Sequence, residues 1–408
     1  MTTSAREQLA LSLSTLKNVN HTISTMNLKV CNGGVEEGIS FNQASVLVDF
    51  IYHTNQAAGL TFSKVYGFTE IFEKGDIILR DYIKFERKLI GSDLSVLEAL
   101  LTFTSHIEEA SKALQVETQE SEETGRNESD WAAKLAIHFF SPLSLTKAYV
   151  LDNHSIKKRK ECPCSRKEVI RYGNTSVGNS KTWYGRFHIL FGKHANETGS
   201  SKRQKCEADV DIGAFVIPEN LDTDSSDDEF SDDTLSQMEE KSEDLKNHLS
   251  QLFSQTIVFS FYEKKCHPFL NLVPYIGVSK SHIQFHFYDS HQDIYLASKE
   301  MPLFYSNQSL RLPTVIATWL VLNYKHLLSG ITEDIEREGK FGFHSQVLAE
   351  SLNLYKNEIE MGLTVKPKTF QFKELDNYVP TILVTKKTDA KKDCSTQVWM
   401  KLKKNCKT

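Results

Sequence analysis

The sequence predicts an α/β fold, a mixed central sheet flanked by helices, with a mainly helical N-terminal region. Three observations carry this prediction. Residues 245–263 place Leu245, Leu249, Leu252, Phe253 and Thr256 at helical spacing, and His267-Pro268 ends the pattern. Two extended runs follow at once, 272–278 and 282–288, with a third starting at Asp293. The first 115 residues carry repeated three- and four-residue apolar spacing. A helix feeding a compact β-meander is a core element, so the rest of the chain is read around it.

The N-terminal region comprises residues 1–115. Residues 4–18 read as a helix through Leu9, Leu13 and Leu16, and Cys31-Asn32-Gly33-Gly34 as a turn. A second helix is expected over 42–58 (Val46, Leu47, Phe50, Ile51), with Gly59 just beyond its end. Residues 76–90 hold a third periodic segment (Ile77, Ile78, Tyr82, Phe85, Leu89). A fourth starts at Ser92-Asp93 and uses Val96, Leu97, Leu100, Leu101 and Ile107. No catalytic spacing occurs in this region.

Residues 116–129 form an acidic linker, poor in large apolar residues. An α/β domain is expected over 130–365. Its first helix, 131–140, carries Trp131, Leu135, His138 and Phe139 on neighbouring turns, and His138 reads as a satisfied, partly buried histidine. Residues 183–192 (WYGRFHILFG) and 206–217 read as strands. In the second, Glu207, Asp209 and Asp211 share one face with Lys205, while Ala208, Val210 and Ile212 share the other. Three carboxylates on one face face water or hold a divalent cation.

The acidic stretch 219–244 is an insertion inside this domain, expected to be disordered, with 219–238 dispensable for folding, because it cannot bury enough apolar surface. The helix that follows places Gln251 and Gln255 four residues apart on one face. Its part 257–262 also suits a strand, and the absence of turn residues before it favours helix. In the run 282–288, Ile283, Phe285 and Phe287 alternate with Gln284, His286 and Tyr288, the pattern of a half-buried strand whose outer face, with His282, is polar. Pro313 opens an apolar helix through Val315, Ile316, Trp319, Leu320 and Leu327, ended by Gly330. A further helix is expected over 346–361. Extended pieces at 369–374 and 381–385 and a Lys-rich tail complete the segment 366–408.

Charge is segregated. The net charge is −5, yet without residues 117–130 and 219–244 the chain holds 46 basic against 35 acidic side chains. A basic body with acidic loops is compatible with a polyanion partner, DNA or RNA. Lys157, Lys158, Arg159 and Lys160, with Lys202 and Arg203, are the candidate phosphate contacts; the first four also read as a nuclear-import patch.

The seven cysteines have no framework spacing, which points to reduced thiols and an intracellular, nuclear or cytoplasmic location. The first residues do not read as a secretory signal, and no apolar run reaches membrane-spanning length, so no membrane partner is expected. Zinc is disfavoured: a set of Cys162, Cys164, His154 and Cys206 lacks the two-residue gap of the usual knuckle and has no second pair. There is no Walker loop, no GxGxxG after a strand, no GxSxG and no HExxH.

Residues 128–330 resemble the restriction-endonuclease-like fold of the PD-(D/E)XK nuclease superfamily. The order is similar: a helix, a strand after WxG, a second strand, a helix bearing glutamines, then the paired strands of LVPYIGVSKSHIQFHFYD. The run 251–289 is also similar to uncharacterised invertebrate proteins associated with this fold. The resemblance implies an Asp and a Glu-x-Lys holding Mg²⁺, which polarises the scissile phosphate and activates water. Here His188 stands where the Asp is expected, and Glu207-Ala208-Asp209 puts Asp where Lys belongs.

Three functions follow from the resemblance. One is a catalytically degenerate, nucleic-acid-associated relative. Another is an active Mg²⁺-dependent phosphodiesterase with Glu207, Asp209 and Asp211 as ligands, Lys205 or Lys246 as cation, and Gln251 and Gln255 nearby. The third is a protein–protein interaction module. The departures at His188 and Asp209 favour the first.

Overall fold

The Leu272–Val278 strand lies at the middle of the main sheet, and all seven of its residues are buried. In the computed structural model residues 3–17, 22–31, 65–85, 88–115, 128–153, 160–192, 210–216 and 248–362 are described, except Ser165 and residues 338–339. Gly33, Leu245 and the strands at 45–47, 378–383 and 399–404 are also described.

Leu272–Val278 pairs antiparallel with His282–Asp289 on one side and parallel with Val210–Val216 on the other. A parallel pair needs a crossover, and the 18-residue helix Leu249–Cys266 lies in that connection. The sheet continues through Ile189–Gly192, Tyr149–Asp152 and Tyr172–Gly173 at one end. Beyond His282–Asp289 it runs through Ile294–Ser298, Thr22–Thr25 and Val65–Gly67, with Met301–Pro302 pairing beside it, ten strands in all. The sheet is therefore mixed, as expected.

Its two faces belong to different cores. Val273, Tyr275, Tyr288 and Tyr295 pack with Leu252, Phe253, Ile257 and Val258 of the long helix. Ile276, Phe285, Phe287 and Leu296 pack with Phe68, Phe72 and the apolar helix Leu312–Leu322 on the opposite side. Burial of each such large side chain is worth about 1.5–3 kcal/mol, so the helices on both faces hold the sheet. Every residue from Leu252 to Glu263 is buried, because helix Ala349–Asn357 covers the outer side of the long helix, with Tyr355 against Phe261 at 5.6 Å.

Several expectations are corrected. The run 183–192 is two strands: Tyr184–Arg186 pairs with Ser176–Gly178 in a small three-stranded sheet, and only Ile189–Gly192 enters the main sheet. The 282–288 strand is buried further than expected: the long helix covers its polar side at His286 and Tyr288, which are fully buried, while His282 and Gln284 are half-buried. The N-terminal region is helical at Thr3–Leu16, Glu73–Lys84, Gly91–Ser105 and Ile107–Leu114, yet it also gives two strands to the main sheet.

Within the helix expected over 42–58, Ser45–Leu47 is a short strand paired with Asn27–Val30, and residues 48–58 lie outside the described residues. The helix over 346–361 is shorter, Ala349–Asn357, and is followed by the two-residue strand Glu360–Met361. The extended piece at 381–385 falls partly in the Tyr378–Leu383 strand, paired with Trp399–Lys404. The piece at 369–374 and the acidic insertion 219–244 lie outside the described residues. No helix of the described residues is long and apolar enough to cross a membrane.

Candidate functional site

Two places bear on function. The first is the strand and helix from which the resemblance would build a magnesium site. Of the acidic face, Asp211 lies in the Val210–Val216 strand, where pairing to Ile189–Gly192 slips register between Val210 and Ile212. Lys202, Arg203, Lys205, Glu207, Asp209 and Lys246 lie outside the described residues, as do Lys157, Lys158 and Arg159.

Gln255, His188 and Asp152 are occupied by structure. Gln255 is 1% exposed; its Nε2 donates to the Arg186 carbonyl at 2.9 Å, and its Oε1 accepts from the Tyr275 hydroxyl at 2.6 Å. Gln251 is exposed, so the two glutamines do not share an environment. His188, at the position of the expected Asp, accepts the Val216 N–H on Nδ1 at 3.1 Å and lies against the Phe215 ring at 4.6 Å. Asp152, whose N–H donates to the His188 carbonyl, is ion-paired with Arg186 at 3.4 Å. These side chains knit strands and helix together.

The second place is a corner formed by a helix and a hairpin. Helix Glu128–Leu135 runs into a π-helical stretch, Ala136–Phe140, closed by the Ser141 N–H donating to the Ala136 carbonyl. Single π turns inside α-helices are uncommon and recur at functional sites. Its apolar residues Ile137, Phe139 and Phe140 are buried, and His138 is buried with them at 6% exposure.

The hairpin spans 160–170. Glu161 bridges Val169, the Cys162 N–H donates to the Glu168 carbonyl at 2.7 Å, and the Ile170 N–H to the Lys160 carbonyl at 2.9 Å. Its tip is a turn in which the Lys167 N–H donates to the Cys164 carbonyl, with Lys167 in the left-handed region (φ 49°). That geometry aims both cysteines at the helix. His138 Nε2 lies 3.1 Å from Cys164 Sγ and 3.5 Å from Cys162 Sγ.

Among the described residues this is the group of three His, Cys, Asp or Glu side chains whose ligand atoms, all within 4.8 Å of one another, could share an ion. Burial, then the nearby Arg166 and Lys134 charges, pushes His138 down to about 4, so its imidazole is neutral at pH 7. Burial pushes the Cys162 thiol up to about 12. Without a cation the corner is thus a neutral imidazole facing the Cys162 thiol and the Cys164 sulfur.

The sequence grouped the two cysteines with His154 and Cys206, which lie outside the described residues, and read His138 as a satisfied histidine of an apolar helix rather than as their partner. Its only local signal was a lone histidine on an apolar helix. The partner lies 24 residues away, and the π turn that orients it leaves no mark in the periodicity.

The hairpin also carries charge. Lys160, Arg166, Lys167 and Arg171 are exposed, beside acidic Glu161 and Glu168, and Arg166 is paired with Glu109. Comparison of the chain with known protein families, with curated proteins and with solved structures finds no match.

Proposed function

We propose that this chain is a nucleic-acid-associated protein whose nuclease-like core is catalytically degenerate. The observation that carries the reading is the exposed basic hairpin with Lys160 and Lys167, with exposed Arg171 directly after it, which continues the run Lys157, Lys158, Arg159. A narrow ribbon rich in lysine and arginine suits contacts to phosphate oxygens, which supply affinity without reading sequence. The structural bonds of Gln255 and His188 support the loss of catalysis, since both polar atoms of Gln255 and the Nδ1 of His188 are engaged within the protein.

Binding of labelled DNA and RNA oligonucleotides, followed by fluorescence anisotropy over a range of salt, tests this. Affinity should fall steeply as salt rises. Replacing Lys160, Lys167 and Arg171 by Gln should flatten the slope by about one for each phosphate contact removed. Added Mg²⁺ should produce no cleavage. Metal-dependent cleavage lost in Asp209→Ala would establish the active Mg²⁺-dependent nuclease instead. Absence of binding at physiological salt would leave the protein-interaction module.

A further inference from the structure

We propose that His138, Cys162 and Cys164 form a binding site for a thiophilic divalent metal ion, zinc by its chemistry, which clips the basic hairpin to the π-helical turn. The inference stands on the geometry of the corner and does not depend on nucleic-acid binding.

The distances suit the ion. In a tetrahedral site with Zn–S of about 2.3 Å and Zn–N of about 2.0–2.1 Å, ligand sulfur and nitrogen are separated by about 3.6 Å. The two observed Nε2–Sγ separations, 3.1 and 3.5 Å, need shifts of only a few tenths of an ångström or less. The ligand set fits as well: thiolate and imidazole select zinc over magnesium, which takes oxygen ligands.

Hydrogen bonding accounts for the cluster less completely. A single Nε2 has one lone pair or one hydrogen, so it serves one sulfur at a time, and a thiol is a weak donor. A metal ion engages all three atoms together. It also balances charge: two thiolates, their protons released to solvent, neutralise one divalent ion in a place where either alone would be costly to bury. Cys164 is only half-buried, so solvent reaches the edge of the cluster, and a water can take the fourth position.

The hairpin has a use for such a clip. Of its described residues only Cys162 and Ile170 are buried, with exposed residues at 160–161 and 166–169. A ribbon with so little apolar anchorage is held by backbone pairing and by few core contacts, and a three-ligand ion would add a cross-link between residues far apart in sequence.

The test uses the full chain, chelated and reduced, titrated with Zn²⁺ against a chromophoric chelator and, separately, with Mg²⁺. Thiol alkylation read by mass spectrometry provides a measurement that needs no variant. One Zn²⁺ should bind per chain. At zinc 100 times its Kd, alkylation of Cys162 and Cys164 should slow about a hundredfold, because only about one site in a hundred is then free. Cys31 and Cys266, outside the cluster, should react at unchanged rates. Cys164→Ser and His138→Gln should each lower zinc affinity, with Mg²⁺ giving no protection in any form. Zinc that fails to bind, or that leaves alkylation of Cys162 and Cys164 unchanged in the wild-type chain, would overturn the site.

Discussion

Two buried histidines lie in different corners of this molecule, and their surroundings differ in kind. His286 is in the middle of the sheet, under the long helix, with Nδ1 against the Tyr295 hydroxyl at 2.9 Å and Nε2 against Gln284 Oε1 at 3.2 Å. Phe253 lies edge-on to it, with ring centroids 5.9 Å apart. Both nitrogens have oxygen partners, and apolar rings fill the rest. His138 is as neutral and nearly as buried, yet its Nε2 meets two sulfurs, each a poor hydrogen-bond partner. A buried imidazole saturated by oxygen is a structural element; one that faces two sulfurs has the donor set of a metal ligand. Burial alone does not distinguish them.

The largest expected effect attacks the saturated corner. Phe253→Ala should cost about 3–5 kcal/mol in denaturant unfolding, since the side chain is 1% exposed and packs on His286, Tyr295 and Phe341. A loss under about 1 kcal/mol would mean that the helix is not seated on this face as described. Tyr295→Phe is subtler: it removes the hydroxyl at His286 Nδ1 and should cost about 1–3 kcal/mol, with zinc affinity unchanged.

Acid sharpens the contrast. Burial pushes His286 down to about 3, so between about pH 6.5 and about 3 the unfolded chain binds a proton there that the folded chain does not. Its contribution to stability is therefore complete above pH 6.5 and is lost as pH falls through that window. Metal-free His138 has the same sign over a window ending at about 4. Comparing denaturant midpoints at pH 7 and 5.5, His286→Gln should show a smaller decrease than the wild type. An equal or larger decrease would contradict a neutral, buried His286.

The resemblance-derived glutamines complete the series. Gln255→Leu should destabilise by about 1–3 kcal/mol, because it strands the Tyr275 hydroxyl and the Arg186 carbonyl. Gln251→Ala, at an exposed position, should stay within about 0.5 kcal/mol of the wild type. Nucleic-acid affinity should follow neither substitution.

These differences also mark what the sequence could disclose. The long helix, its stop at His267 and the strands 272–278 and 282–288 were legible, because local periodicity and a proline report them directly. The ambiguous stretch 257–262 is helix, as the lack of turn residues suggested. What failed was faces and partners. The polar alternation of His282, Gln284 and His286 looked solvated, since nothing local says that a helix covers it. The run 183–192 looked like one strand, since the break near Phe187 carries no turn residue. The cysteine pair was legible as a pair, but its histidine came from another element, oriented by a π turn. Local pattern names elements, and only the fold decides which of their side chains meet.

X-ray absorption at the zinc edge of the loaded chain reads the ligands of the corner itself. The spectrum should show a coordination shell with two sulfurs at about 2.3 Å and an imidazole nitrogen at about 2.0–2.1 Å, with one sulfur lost in Cys164→Ser. A shell made only of nitrogen and oxygen, unchanged in that variant, would contradict it.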